Sequence, residues 1–207
     1  MSDSVLIFDF DGTIADTHHY IVHIANRLAP EYGYRQMEWE DVEGLRDKTA
    51  KEMIEYLGVP LLKVPAILAR AKHEFHKGIE NVKLIEGLHD VLHELHDRGV
   101  LMGIVSSNAA KNIESFLANH DLKIFDFLHS TTKIWSKHHS LEKLIKQRKF
   151  PREHVYYVGD ETRDISAAKK SGVHGVSVTW GYNSAKALAA DSPDHLLEAP
   201  AELLQFA

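Results

Sequence analysis

The chain has 207 residues, 44% of them hydrophobic, with 24 Lys and Arg against 30 Asp and Glu for a formal net charge of −6. That length allows a full core in one domain with a smaller second unit, and the acidic balance gives no electrostatic footprint for nucleic acid or anionic lipid. The absence of cysteine excludes disulfides and thiolate chemistry and is compatible with a reducing cytosol.

The chain begins MSDSVLIFDF, with no basic leader and only a short apolar run before Asp9. Neither a signal peptide nor a membrane span is expected, and the protein is expected to be soluble and cytoplasmic. The run VLIF (5–8) reads as a buried strand. It is followed by DFDGT (9–13), which places Asp9 and Asp11 where a bare carboxylate costs several kcal/mol, on the order of a desolvated charge. A counter-charge must therefore come from elsewhere in the chain.

From Asp16 to Val82 no strand is evident, and three stretches have helical character: IVHIANRL, TAKEMIEYLG and LLKVPAILARAKHEFHKGI. This insertion is too long for a crossover between strands and reads as a small helical cap over 16–82. Linkers near Ala15–Thr17 and Asn81–Ile85 would join it to a core of 1–15 and 83–207. In the cap, GLRDKTAKEM carries Arg46 and Lys48 beside a glycine and is the candidate substrate-reading loop.

Beyond the cap, helices and strands alternate. LHDVLHELHDRG sets Leu88, Val91, Leu92 and Leu95 on one stripe and ends at Gly99, a residue suited to a helix C-terminus. His89, His93 and His96 flank that stripe among acidic residues, as on a solvated face. The strand LMGIV (101–105) leads to Ser106, Ser107 and Asn108, then to the helix AAKNIESFLANH. SLEKLIKQRKF follows; its basic residues read as a solvated helix face. The strand VYYV (155–158) leads to Gly159, Asp160 and Asp164, the helix DISAAKKSG, and a last strand GVSV (175–178). Near-continuous apolar strands alternating with helices indicate an α/β fold, a doubly wound parallel sheet covered on both faces.

In such sheets ligands bind outside the carboxyl ends of the strands. Asp9, Asp11, Ser106, Asp160 and Asp164 all fall there. So many carboxylates at one edge require a divalent cation, and an oxygen-only donor set points to Mg²⁺. A hydroxyl followed by the free N–H groups opening a helix suits a phosphate. Lys137, in IWSKHHSLEKLI, is placed to neutralise its remaining charge, with Lys133 as a neighbour that could compete for the role.

FDFDGTIAD, IVSSN, SKHHSLEKL and YYVGDETRDISAAKKSG together resemble, in order and spacing, the four motifs of the haloacid dehalogenase superfamily, in its branch with a helical cap after the first motif. The closing VTWGYNSAKALAADSPDHLLEAPAELL is similar to the tail of phosphoglycolate phosphatase-like members. The resemblance implies a Mg²⁺-dependent phosphatase acting on a small phosphorylated metabolite, as a monomer or homodimer. It implies Asp9 as the nucleophile forming an aspartyl-phosphate and Asp11 as the acid–base. Asp9, the carbonyl of Asp11 and Asp160 would ligate the metal with support from Asp164, and Ser106, the N–H of Ser107 and Lys137 would hold the phosphoryl group. One departure is that His138 stands where the family usually has proline. The alternatives are a sugar-phosphate mutase of the same superfamily, in which the position of Gly159 is often acidic, and a catalytically silent binding protein.

Overall fold

A computed structural model describes residues 4–131 and 137–207. Six parallel strands form the central sheet: β1 (Val5–Phe8), β4 (Leu101–Ser106), β5 (Phe127–Ser130), β6 (Val155–Gly159), β7 (His174–Val178) and β8 (His195–Leu197). Their order is β5-β4-β1-β6-β7-β8. The first strand is thus central, with Val5 beside Leu101 on one flank and Val155 on the other.

Side chains alternate across that strand, as the period of an extended chain requires. Leu6 and Phe8 join one core cluster with Leu88, Leu92, Leu95, Ile113 and Phe116, from helices α5 (Leu88–Asp97) and α6 (Ala110–Asn119). Val5 and Ile7 join a second cluster with Leu141, Leu144, Ile145, Ala167 and Ala168, from α7 (Lys137–Arg148) and α8 (Thr162–Ser171). Both faces are covered, so every residue of β1 is buried. A short helix α9 (Ala185–Ala190) precedes β8. Lys143, Lys146, Arg148 and Lys149 are exposed on the outer side of α7 and just beyond it.

Two features depart from the expected pattern. The linkers on either side of the inserted helices are zipped together: β2 (Ala15–Asp16) pairs antiparallel with β3 (Lys83–Leu84). Strands this short leave no periodic signal. The expected helix over 61–79 also divides, into a tight turn at Leu61–Lys63, a helix α4 (Val64–Gly78) and a second turn at Ile79–Asn81. Pro65, which has no N–H to donate, sits in the first turn of α4 where none is needed.

The insertion also holds α1 (His18–Tyr32), α2 (Trp39–Leu45) and α3 (Ala50–Tyr56). Gly33 ends α1 in the left-handed region, at φ 74°, with its N–H on Ala29 O. Val22, Met37, Val42, Leu45 and Leu57 make a small cluster of their own.

Candidate active site

The carboxyl ends of β1, β4 and β6, together with the start of α7, converge on one buried point. Asp9 follows β1 directly and is 1% exposed; Lys137, Asp160 and Asp164 are equally enclosed. Lys137 Nζ donates to Asp9 Oδ2 at 2.5 Å and to Asp164 Oδ1 at 2.7 Å. Burial alone would lower the lysine's pKa, but the two carboxylates outweigh it and hold the ammonium well above its ordinary range. The neighbouring Lys133 lies outside the described residues.

Asp160 is fixed from two sides. Thr13 Oγ1 donates to its Oδ1 at 2.8 Å, and the N–H of Tyr182 to its Oδ2 at 2.7 Å. Backbone without side chains makes room for it: a Cβ on Gly12 would lie 2.2 Å from Asp160 Oδ2, and one on Gly181 would lie 2.3 Å from the same atom. Gly12 also needs its freedom of backbone, at φ +75°. Asp164 accepts the N–H of Glu161 at 3.2 Å on its second oxygen. Glu161 in turn pairs with Arg163 at the edge of the site.

Oxygens of Asp9, Asp160 and Asp164 all lie within 4.8 Å of one another. Burial, and then neighbouring negative charge, raises the pKa of Asp160 well above that of an ordinary carboxylate. Asp9 is raised too, by burial against the pull of Lys137. Its Oδ1 is buried without a hydrogen-bond partner. A buried, unsatisfied carboxylate oxygen beside two more carboxylates, with only oxygen donors present, fits a hard divalent cation such as Mg²⁺.

Asp11 is half-buried. Burial and the charge of Asp9 push its pKa up to about 7, opposed by the amide of Asn108. Asn108 Nδ2 donates to both Asp11 oxygens, at 3.1 and 3.2 Å. Ser106, the last residue of β4, is fully buried and accepts the N–H of Asn108 at 3.0 Å. Ser107 is half-buried in the turn that opens α6. The structure thus brings together Asp9, Asp11, Ser106, Lys137, Asp160 and Asp164 from four separate stretches of sequence.

Arg46 and Lys48 are placed differently. Arg46 donates to the carbonyls of Thr179 at 2.9 Å, Gly181 at 3.1 Å and Tyr182 at 3.4 Å. Its own carbonyl, and that of Lys48, accept from Asn183 Nδ2. The ammonium of Lys48 lies over the Tyr56 ring, 5.6 Å from its centroid. Arg46 therefore clasps the loop after β7, and Lys48 turns towards α3.

That loop was not apparent in the sequence as part of the site. Tyr182 reaches Asp160 through its N–H and Thr17 through its hydroxyl at 2.7 Å, and Trp180 Nε1 donates to Thr13 O at 3.1 Å. Its position after a strand, on the same sheet edge, was the available signal. Asn108, likewise, had its place but no assigned partner.

Comparison with known proteins agrees with this geometry. The haloacid dehalogenase-like hydrolase family matches residues 6–178. The chain belongs to that family. It is similar to a phosphoglycolate phosphatase of Synechococcus elongatus, 37% identical over 97% of this chain and 95% of the relative. It is also similar to a pyrophosphatase PpaX of Anoxybacillus flavithermus, 25% identical over 100% of this chain and 97% of the relative. A haloacid dehalogenase-like hydrolase of Streptococcus pneumoniae, 19% identical, has the same fold at a TM-score of 0.81 over 98% of this chain and 97% of its own. Family and near relatives make the chain an enzyme, a phosphatase-type hydrolase. Among the described residues no helix is long and apolar enough to cross a membrane.

Proposed function

We propose that the protein hydrolyses a small phosphate monoester, phosphoglycolate or a close analogue, in a Mg²⁺-dependent reaction through an aspartyl-phosphate on Asp9. The observation that carries this reading is the buried Asp9, tied to Lys137 through one oxygen and left with the other unsatisfied. Relatives named phosphoglycolate phosphatase, among them one at 37% identity, support the substrate class. We assign the protein to the cytoplasm, as a monomer or homodimer.

The first step forms a bond from an Asp9 carboxylate oxygen to phosphorus while the ester P–O bond breaks. Asp11 gives its proton to the departing oxygen. In the second step Asp11, now a carboxylate, takes a proton from water as that water attacks phosphorus. The P–O bond to Asp9 breaks and phosphate leaves. Two displacements replace one difficult step, and a group whose pKa lies near neutrality can serve both halves. Ser106, the N–H of Ser107 and Lys137 hold and neutralise the phosphoryl oxygens. Asp9, the carbonyl of Asp11 and Asp160 would hold Mg²⁺, steadied by Asp164, and the ion would supply further positive charge to the transferring group.

The helical segment 16–82 serves in this proposal as a cap on a core of 1–15 and 83–207. It excludes bulk water and reads the rest of the substrate. The Arg46 clasp supports that arrangement, since it spans the two units. A mutase fits less well. A Cβ on Gly159 would lie 2.5 Å from Asp164 Cβ, so an acidic side chain has no room there. A silent binding role leaves an intact acid–base and nucleophile pair without a task.

The test is phosphate release from a panel of phosphoglycolate, sugar phosphates, nucleotides, pyrophosphate and an aryl phosphate, with and without Mg²⁺. Metal-dependent release, fastest with phosphoglycolate and lost in Asp9→Asn, is expected. Isomerisation of a sugar phosphate without net release would favour the mutase, and silence across the panel from folded protein would favour the binding role.

A further inference from the structure

A line of hydrogen bonds runs from Asp11 away from the site and ends on the cap. Asn108 Nδ2 faces both oxygens of Asp11. Its Oδ1 accepts Asn112 Nδ2 at 2.9 Å, one helical turn further along, and the N–H of Ala109 at 2.8 Å. Asn112, in the first turn of α6, is 3% exposed. Its own oxygen lies 2.5 Å from Nδ1 of His76, in the last turn of α4.

The direction of this line is determined by chemistry. The backbone N–H of Ala109 can only donate, so the amide oxygen of Asn108 must face it and the NH₂ of Asn108 is turned to Asp11, whether that carboxyl is ionised or protonated. The same oxygen only accepts, which fixes the NH₂ of Asn112 towards it. The oxygen of Asn112 is then left facing His76, which must carry a proton on Nδ1. Every donor points towards Asp11. The one exposed end is His76, on a helix of the inserted segment.

We propose that His76 and Asn112 are positioning residues that aim the acid–base group Asp11, making its orientation depend on where the end of α4 lies. The proposal rests on the reading of Asp11 as the acid that protonates the leaving oxygen. Asn108 grips both oxygens of that carboxylate and so sets its plane, while Asn112, held by His76, keeps Asn108 from rotating. Polarised chains of hydrogen bonds strengthen their members, so that a side-chain network can be worth more than its bonds taken singly. His76 is exposed, so removing its ring lets water reach Asn112 and leaves the fold standing.

The test is kcat/KM for two substrates, an alkyl phosphate with a poor leaving group and 4-nitrophenyl phosphate with a good one. A misaimed acid slows only the ester whose leaving group needs the proton, whereas a general structural defect slows both. General acid catalysis contributes about a hundredfold or more, and losing its aim should forfeit on the order of tenfold of it. His76→Ala and Asn112→Ala are each expected to lower kcat/KM about tenfold for the alkyl ester and less than about twofold for the aryl ester.

His76→Asn should restore the alkyl activity, because an asparagine nitrogen stands as many bonds from Cα as Nδ1 does. The double variant should be no worse than either single one. Asp11→Ala, measured beside them, should show the same bias more strongly. Equal losses on both esters, or no loss, in the His76 and Asn112 variants would overturn the relay while the Asp11 bias stood. A missing bias in Asp11→Ala would overturn the relay and the acid assignment together.

Discussion

Replacing Lys137 by Met keeps the apolar stem and removes the charge from a place where solvent cannot substitute for it. Lys137 Nζ lies 2.5 Å from Asp9 Oδ2 and 2.7 Å from Asp164 Oδ1, and all three side chains are 3% exposed or less. At an effective dielectric constant near 20, each contact is worth roughly 6 kcal/mol of Coulomb attraction before desolvation is subtracted. The measurable cost of removing one partner of a buried pair is about 3–5 kcal/mol, because the stranded carboxylates remain.

For a domain of this length each kcal/mol moves Tm by about 2–4 °C, so metal-free Lys137→Met should melt roughly 6–20 °C below the parent protein at pH 7. The dependence on pH has a definite sign. Lys137 has a raised folded pKa, so its contribution is complete below 10.5 and is lost only as pH rises through the raised value. Without the ammonium, Asp9 loses the pull that opposes its burial and rises further above the ordinary carboxylate range. As pH falls it protonates, and the gap between variant and parent should narrow from pH 7 to pH 5. Thermal melts followed by circular dichroism in chelator, at both pH values, measure this directly. A fall in Tm below about 2 °C at pH 7 would refute the buried ion pair as a stabilising element, as would a gap that widens on acidification.

Other substitutions test the surroundings. Gly181→Ala sets a Cβ 2.3 Å from the Asp160 carboxylate, so titration of activity with Mg²⁺ should need a higher concentration for half-maximal rate, with about 1–3 kcal/mol of stability lost to overpacking. Arg46→Ala strips the guanidinium from the carbonyls of Thr179 and Gly181 and should destabilise by about 1–3 kcal/mol in denaturant melts. It should also weaken Mg²⁺ activation, since the loop it clasps holds Asp160. Leu62→Asp, at a side chain 98% exposed on the inserted segment, should shift stability by no more than about 0.5 kcal/mol and leave the kinetics unchanged. A large effect there would mean that this tip is covered in solution.

The central strands, most of the helices and the acidic clusters at the strand ends were legible because each left a dense local signal. VLIF is buried on both faces and therefore reads as an unbroken apolar run. The edge strands β5 and β8 do not, since only one residue of FLHS and one of HLL is buried. Nothing in their pattern separates them from a loop. The short α2, WEDVEGL, offers too little periodicity over a seven-residue helix.

At the site, Asp9, Asp11, Asp160 and Asp164 are conspicuous because paired carboxylates at strand ends demand compensation. Thr13, Tyr182 and Asn183 are not, because they act through hydrogen bonds to residues 147, 165 and 137 positions away. Such pairings exist only once the sheet has ordered its strands. Arg46 looked suited to a substrate for the same reason that it suits a row of carbonyls: a guanidinium offers five donors and no acceptor.

The claim on which the rest depends is that Asp9 carries the phosphoryl group. Rapid mixing with phosphoglycolate and Mg²⁺, quenching in acid and peptide mapping by mass spectrometry would locate any covalent phosphate. A phosphorylated Asp9, formed only with metal and absent from Asp9→Asn, is the predicted result. Steady turnover with no phosphate on Asp9 at any quench time, or undiminished turnover by Asp9→Asn, would contradict it.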